Sequence, residues 1–311
     1  MLKYIFKRLL LMIPAVLLTS FIIYFAMDMT GGDAATAMAT VGATEKQIQQ
    51  IRDELGLNAP LAVRYGKYML GMLRGDLGTS YVSKRDVFKT FITRLPNTIQ
   101  LAFAAVFFAT LIAVPLGIYT AIHQNTWKDT GGMVFALFGV SMPNFWLGLM
   151  LIIIFSLNLK WFPSGAKSGI KSLVLPAVTV GLGFAALITR TTRSAMLDVI
   201  RQDYMTTARA KGTGERDVIL QHGLRNALIP IITVIGMQLS NALTGSVLAE
   251  TVFSWPGVGR LIVDSIARRD TPMVTGAIIM SCVLMCLVNL AIDLIYAFFD
   301  PRIKAQYARK E

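Results

Sequence analysis

The chain has 311 residues, of which 54% are hydrophobic and only 15% charged, and its mean hydropathy is +0.58. A soluble domain needs about 25% charged residues to face water, so a soluble globular protein is excluded and much of the surface must face lipid. The formal net charge of +12, from 30 Lys and Arg against 18 Asp and Glu, reads as positive charge kept on the cytoplasmic side of a membrane, not as a nucleic-acid footprint.

A bilayer core about 30 Å thick takes roughly 20 apolar residues as a helix. In chain order the predicted spans are Leu9–Met27, Ile99–Ile122, Met133–Leu157, Leu173–Arg190, Ile229–Ala249 and Val274–Phe299. Unpaired backbone groups are not tolerated in lipid, so all six are helices. Lys3, Lys7 and Arg8 precede the first, and "ATAMA" at 35–39 has an Ala-x-Ala pattern. Its apolar run exceeds the 7–15 residues typical of a signal peptide, so an uncleaved helix is expected. With a cytoplasmic N-terminus, the inside segments 1–8, 123–132, 190–228 and 300–311 hold fifteen Lys and Arg, against six in the short outside loops 158–172 and 250–273. This asymmetry predicts a multi-pass protein with both termini in the cytoplasm.

The expected organisation is a tip and first helix at 1–27, a helical extracytoplasmic subdomain at 28–98, a core at 99–299 and a cytoplasmic tail at 300–311. Within 28–98, Thr44 and Gln47 have capping-box spacing, Gly56 suits a helix end, and Pro60 opens the next helix. "RGDLGTSY" (74–81) reads as a turn, with Ser83 capping a third helix. Pro115 and Pro143 favour kinks in the second and third spans. "SMPNFWLG" (141–148) places Asn144 and Trp146 beside the second kink as pathway candidates. In the fifth span Gly236, Ser240 and Thr244 recur every four residues, beside Asn241 and Gly245. Small residues allow close helix approach or line a passage; Ser240 and Asn241 are the polar candidates. Asn289 and Asp293 lie one turn apart in the sixth span, with Asp293 near its cytoplasmic end. Cys282 and Cys286 share a helix face without enough partners for a metal site. The chain contains no HExxH, GxSxG or Walker sequence, so no catalytic centre and no bound cofactor are expected on it.

Between the fourth and fifth spans lies "TTARAKGTGERDVILQHGLRNALIP" (206–230). Residues 194–212 can form a helix carrying Met196, Ile200, Tyr204 and Ala208 one turn apart. Gly212 and Gly214 break it, a short helix follows at 215–224, ending by Asn226, and Pro230 opens the fifth span. This is either a docking knob below the membrane or a juxtamembrane helix on anionic lipid; the pattern alone leaves both open.

The stretch "DYMTTARAKGTGERDVILQHGLRNALIP" (203–230) resembles the ATPase-docking loop of binding-protein-dependent ABC importer permeases, in its dipeptide/oligopeptide/nickel version. The general pattern is Glu-Ala-Ala, a Gly four residues after the second Ala, and a downstream Ile-x-Leu-Pro. Here Thr206, Thr207 and Ala208 precede Gly212 and the Glu is absent; His222 takes the Ile place, Leu224 matches and Arg225 replaces the Pro. "ETVFSWPGVGRLIVDSIARRDTPMV" (250–274), "GDLGTSY" (75–81), "SMPNFWLG" and the terminal "DPRI" also match, whereas "TGGDAA" (30–35) departs from the usual Pro-Gly-Asp-Pro.

The resemblance implies an all-α, six-helix permease of the bacterial inner membrane, importing short peptides or related solutes such as glutathione or nickel complexes. It implies a docking loop at 194–228, with Ala208, Gly212, Glu215, Arg216 and His222 meeting a cytoplasmic ATPase subunit. ATP and Mg would bind that partner. A homologous second permease and an extracytoplasmic solute-binding protein would complete the system. The competing class is an ion-coupled secondary transporter, which needs buried ion ligands near the midplane; Asp293 is its sole candidate and lies too shallow.

Overall fold

A computed structural model describes residues 2–29, 34–39 and 43–299. The tail at 300–311, with "DPRI", and most of the "TGGDAA" turn lie outside the described residues. Among those described, every element is a helix apart from one isolated antiparallel bridge between Thr79 and Asp86. In chain order the helices are α1 (Leu2–Met29), α2 (Ala34–Met38), α3 (Glu45–Glu54), α4 (Leu61–Leu73), α5 (Val87–Ile122), α6 (Trp127–Ser141), α7 (Asn144–Leu151), α8 (Lys171–Ile200), α9 (Asp203–Ala210), α10 (Glu215–Asp217), α11 (Arg225–Gly245), α12 (Val247–Val252), α13 (Val258–Ala267) and α14 (Thr271–Phe299). Two π-helical stretches, Ile152–Asn158 and Val218–Leu224, extend α7 and join α10 to α11. Parts of α1, α5, α8, α10–α11 and α14 are long and apolar enough to cross a membrane, and α6 with α7 makes a sixth crossing if taken as one.

The third expected span, Met133–Leu157, is not a single kinked helix. α6 and α7 meet at 96° across their break. The residue before a proline is pushed out of helical space; Met142 accordingly adopts φ −91° and ψ 131°, and Pro143 stands at the N-cap of α7. Pro115 has no such effect, since α5 runs helically through Pro96 and Pro115.

The described residues form two compact units, those up to Thr98 with Pro256–Leu287, and Ile99–Trp255 with 288–299. In the first, the Ser20 and Tyr65 hydroxyls meet at 2.9 Å and Tyr65 packs edge-on against Phe21, joining α1 to α4. Arg64 pairs with Asp28. The Gln47 side-chain oxygen accepts the Thr44 N–H at 2.8 Å, and Gly56 ends α3 at φ +65°. The third helix expected here is the start of α5, and its cap is Asp86, not Ser83. The Asp86 carboxylate takes the Lys89 N–H at 2.7 Å, while the Ser83 N–H donates to the Ser80 hydroxyl. Buried Asp270 accepts the Ser80 hydroxyl and the Tyr81 N–H, pinning the 74–81 turn. The Val258 N–H donates to the Thr98 hydroxyl at 2.8 Å, seating the start of α13 against α5.

The second unit is built on close helix approach. Ala105 of α5, Val180 of α8 and Ala249 of α12 share one buried cluster. A Cβ on Gly181 would stand 2.6 Å from the Ala105 carbonyl oxygen, and one on Gly148 3.1 Å from the Phe253 ring. Fully buried Trp255 fills the gap between Leu101 and Ala177. Gly181→Leu is expected to destabilise the protein by about 3 kcal/mol, at the upper end for overpacking, because the obstructing atom is backbone. A lowered thermal unfolding midpoint in detergent would show it; an unchanged midpoint would mean that α5 and α8 separate freely.

Candidate functional site

The loop between α8 and α11 is built on a buried base. α8 ends at Ile200, and α9 begins at Asp203 after two intervening residues. Met205 and Ala208 of α9 pack on Val218, with Val199 and Ile200 against them. Met196 and Ile219 join Ala227 and Ile231 of α11 and Ala121 of α5 in a second cluster. A Cβ on Gly223 would lie 3.3 Å from the Met196 methyl and 3.4 Å from the Met205 methyl, so the two methionines close over this position.

The chain reverses at Gly212, whose φ is +80°. The Gly212 N–H donates to the Arg209 carbonyl at 2.9 Å and the Thr213 N–H to the Ala208 carbonyl at 3.3 Å, satisfying the end of α9. Arg209 then grips Glu215 through two hydrogen bonds of 3.1 and 2.9 Å. That carboxylate raises the Arg209 guanidinium above its ordinary value. Arg216, His222 and Gly212 are exposed, as are Tyr204 and Leu220.

The five residues expected to dock therefore divide. Gly212, Glu215, Arg216 and His222 lie on the surface, Glu215 already tied to Arg209. Ala208 is buried within the loop's own base. The expected end near Asn226 and restart at Pro230 are also corrected. Helical structure runs without interruption from Glu215 to Gly245, with Pro230 inside it. The π-helical turn absorbs the change of register, and Asn226 uses its side-chain amide to donate to the His222 carbonyl at 2.7 Å.

A second feature was not anticipated from sequence. Arg193 of α8 donates from Nε and Nη2 to the two Asp129 oxygens of α6, at 2.7 and 2.6 Å. The Asn125 N–H adds a third bond to Asp129 at 3.1 Å. Asp129 is buried, so three donors replace its lost water.

Residues 1–102 match the N-terminal family of binding-protein-dependent transport system membrane components, and residues 113–305 match the family described as the binding-protein-dependent transport system inner membrane component. The chain belongs to that family. Among its relatives, the glutathione transport system permease protein GsiC of Salmonella paratyphi A is 40% identical over 304 residues, covering 98% of this chain and 99% of that protein. GsiC of Escherichia coli K12 is 39% identical over the same length. Among solved structures, an inward-facing MetNI methionine ABC transporter aligns with a TM-score of 0.60 at 17% identity, over 68% of this chain and 97% of that one. An amino acid ABC transporter aligns at 0.52 and 15%, over 68% and 94%. These structures share the fold.

In this permease the four expected pathway residues occupy different settings. Asn144 begins α7, with its side-chain oxygen 3.3 Å from where a Gly183 Cβ would sit. Trp146 is 43% exposed on the same helix. Ser240 is buried and donates to the Asn289 side-chain oxygen of α14 at 2.6 Å, so its hydroxyl joins helices. Asn241 is exposed and donates to Gln238 at 2.8 Å. No hydrogen bond links the α7 pair to the α11 pair among the described residues. No cluster of metal-ligating residues occurs among them either, and Cys282 and Cys286 are unpaired thiols.

Arg193→Ala should cost about 3 kcal/mol, because it strands a buried carboxylate. The double variant D129A/R193A should cost less than the sum of the two single changes. Thermal unfolding of the four proteins in detergent measures the coupling, and strict additivity would show that the pair carries none.

Proposed function

We propose that this chain is a permease subunit of an ATP-driven importer for short peptides or related solutes, glutathione among them. The observation that carries this reading is similarity over essentially the whole length to permeases named for glutathione transport. The chain forms the translocation pathway with a homologous second permease, and an extracytoplasmic binding protein delivers the solute. Separate cytoplasmic ATPase subunits hold ATP and Mg. Both termini lie in the cytoplasm, by the distribution of Lys and Arg.

The loop's construction supports the coupling role. A partner that presses on Arg216, His222 or the Gly212 turn presses on a body whose apolar base is shared by α8 and α11. A displacement there cannot be absorbed by a flexible joint, because helical bonding continues from Glu215 into the membrane. It moves the ends of two membrane helices together. ATP-driven closure of the ATPase pair would in this way rock the membrane segments between outward- and inward-facing arrangements. Asn144, Trp146 and Asn241 remain proposed pathway residues, whereas Ser240 acts through Asn289.

Gly212 offers a direct test. A Cβ there meets nothing within 4 Å, so the position is controlled by its backbone angle and not by space. Gly212→Val, a β-branched residue at positive φ, should distort the turn. Uptake of glutathione by vesicles carrying the whole importer should fall at least tenfold, with normal amounts of permease in the membrane. Gly212→Asn, which tolerates the left-handed region, should retain most uptake. Full uptake by the Val variant would count against docking through this turn. Uptake that survives removal of the ATPase subunits and collapses with the ion gradient would count against the importer itself.

A further inference from the structure

α6 lies against α8 with very little side chain between them. A Cβ on Gly139 would stand 3.0 Å from the Leu182 carbonyl oxygen. Nearer the start of α6, Asp129 meets Arg193. At about 1.5 Å per residue, Asp129 to Gly139 spans roughly 15 Å and Leu182 to Arg193 roughly 17 Å. The two helices are therefore antiparallel and in register over that length. Asp129, Gly132, Ala136 and Gly139 share one face of α6, while Trp127, Val134, Phe135 and Phe138 are exposed. Small residues let helices approach closely, but they bury little apolar surface and leave few knobs to resist sliding. The Arg193–Asp129 pair is the one tie by side-chain hydrogen bonds between α6 and α8 among the described residues.

The pair also stands where motion would enter and leave. Met196, one turn beyond Arg193 on α8, packs in the loop's base with Ile219, Ala227 and Ile231. From Phe184 to Ile200, α8 contains neither Gly nor Pro, so the stretch has no built-in site for a kink. At the far end of α6, the break leads to Asn144, whose side-chain oxygen lies 3.3 Å from where a Gly183 Cβ would sit. Stability is a weak reason to keep such a pair. Burying two charges costs so much solvation that apolar residues of similar volume often serve a fold as well, and the best-attested use of a buried pair is to fix register.

We propose that Arg193 is a positioning residue for transport. By holding Asp129 it fixes the register of α6 on α8, so a displacement at the loop's base carries the α6–α7 break, and Asn144 with it. The proposal rests on the ATP-driven import argued above and adds the physical link from the loop to that pathway residue. Coupling between distant sites needs a chain of packed or hydrogen-bonded groups that does not slip. Here the chain runs from Met196 through one turn of α8 to Arg193, then across to Asp129 and along α6.

The test measures movement and coupling separately. Spin labels are placed at Thr130→Cys on α6 and Ser194→Cys on α8, both exposed positions, in a chain carrying Cys282→Ala and Cys286→Ala. In the assembled importer the distance between them should be the same with and without ATP. The double variant Asp129→Ala, Arg193→Ala leaves no stranded charge; in it the distance should broaden and shift when ATP binds. The second readout is glutathione taken up per ATP hydrolysed, a ratio that does not depend on how much protein is folded. In the double variant this ratio should fall at least about fivefold, the low end of typical coupling between sites, while ATP hydrolysis continues. Arg193→Lys keeps one charge-assisted bond and should retain most of it. A parent distance that changes with ATP, or a parent-like ratio in the double variant, overturns the proposal. Joint loss of hydrolysis and uptake would assign the pair to assembly with the ATPase and overturn it too. A parent importer that hydrolyses ATP without moving glutathione would instead sink the import reading, and the label distances would still decide whether the pair fixes α6 on α8.

Discussion

A peptide group inside a hydrocarbon layer must find its hydrogen bond within the protein or cost several kcal/mol. The arrangement of this permease follows from that constraint. Where the chain must turn or shift register, it does so without abandoning backbone bonding. The π-helical stretches Ile152–Asn158 and Val218–Leu224 change the helical phase while the bonds continue. The sharp break within the third predicted span, at Met142–Pro143, comes where proline has already removed a donor and forced its predecessor into an extended conformation. Non-helical backbone at membrane depth persists where protein surrounds it or water lines it. The proximity of Asn144 to Gly183 places a polar amide beside that break.

The same constraint makes the loop between α8 and α11 stiff. A connection with an ordinary coil between α10 and α11 would let the loop swing without moving the membrane helix. Instead the helix is continuous, and the loop's apolar underside is packed by Met196, Met205, Val218 and Ile219. Polar contacts occupy the outside: Arg209 with Glu215, and Asn226 with the His222 carbonyl. An apolar base holds the loop to its two helices, and a charged top stays exposed. The Arg193–Asp129 pair adds a third tie by holding α6 to α8.

Much of this was legible in the sequence, for identifiable reasons. Span length and hydropathy locate membrane helices because the lipid sets one number that every crossing must meet. The glycine turn at 212 was legible because its neighbours already fit a helical period on either side. Other features were not. Glu215 and Arg209 are six residues apart across a turn, outside the i,i+3 and i,i+4 spacings that mark helical pairs. Arg193 and Asp129 are separated by 64 residues, and no local pattern joins them. Asp86 displaced Ser83 as the α5 cap because the preceding turn places Ser83 against Ser80. Proline was the least transferable signal. Pro143 accompanies a sharp break, while Pro115 and Pro230 lie within continuous helix.

The sequence by itself determined that the chain is a polytopic helical membrane protein, with a patterned insert between its fourth and fifth predicted spans. Charge, apolar run length and glycine placement are local quantities, and the bilayer converts them into structure almost directly. Only the tertiary structure decided which residues of that insert face outward. Ala208 and Arg216 belong to the same motif region, yet one is buried and the other exposed, because Met205 and Val218 converge from opposite sides of the Gly212 turn. It also decided that Ser240 joins two helices while the adjacent Asn241 is exposed. One residue along a helix is a rotation of about 100°, and what lies at that angle is set by the neighbouring helices.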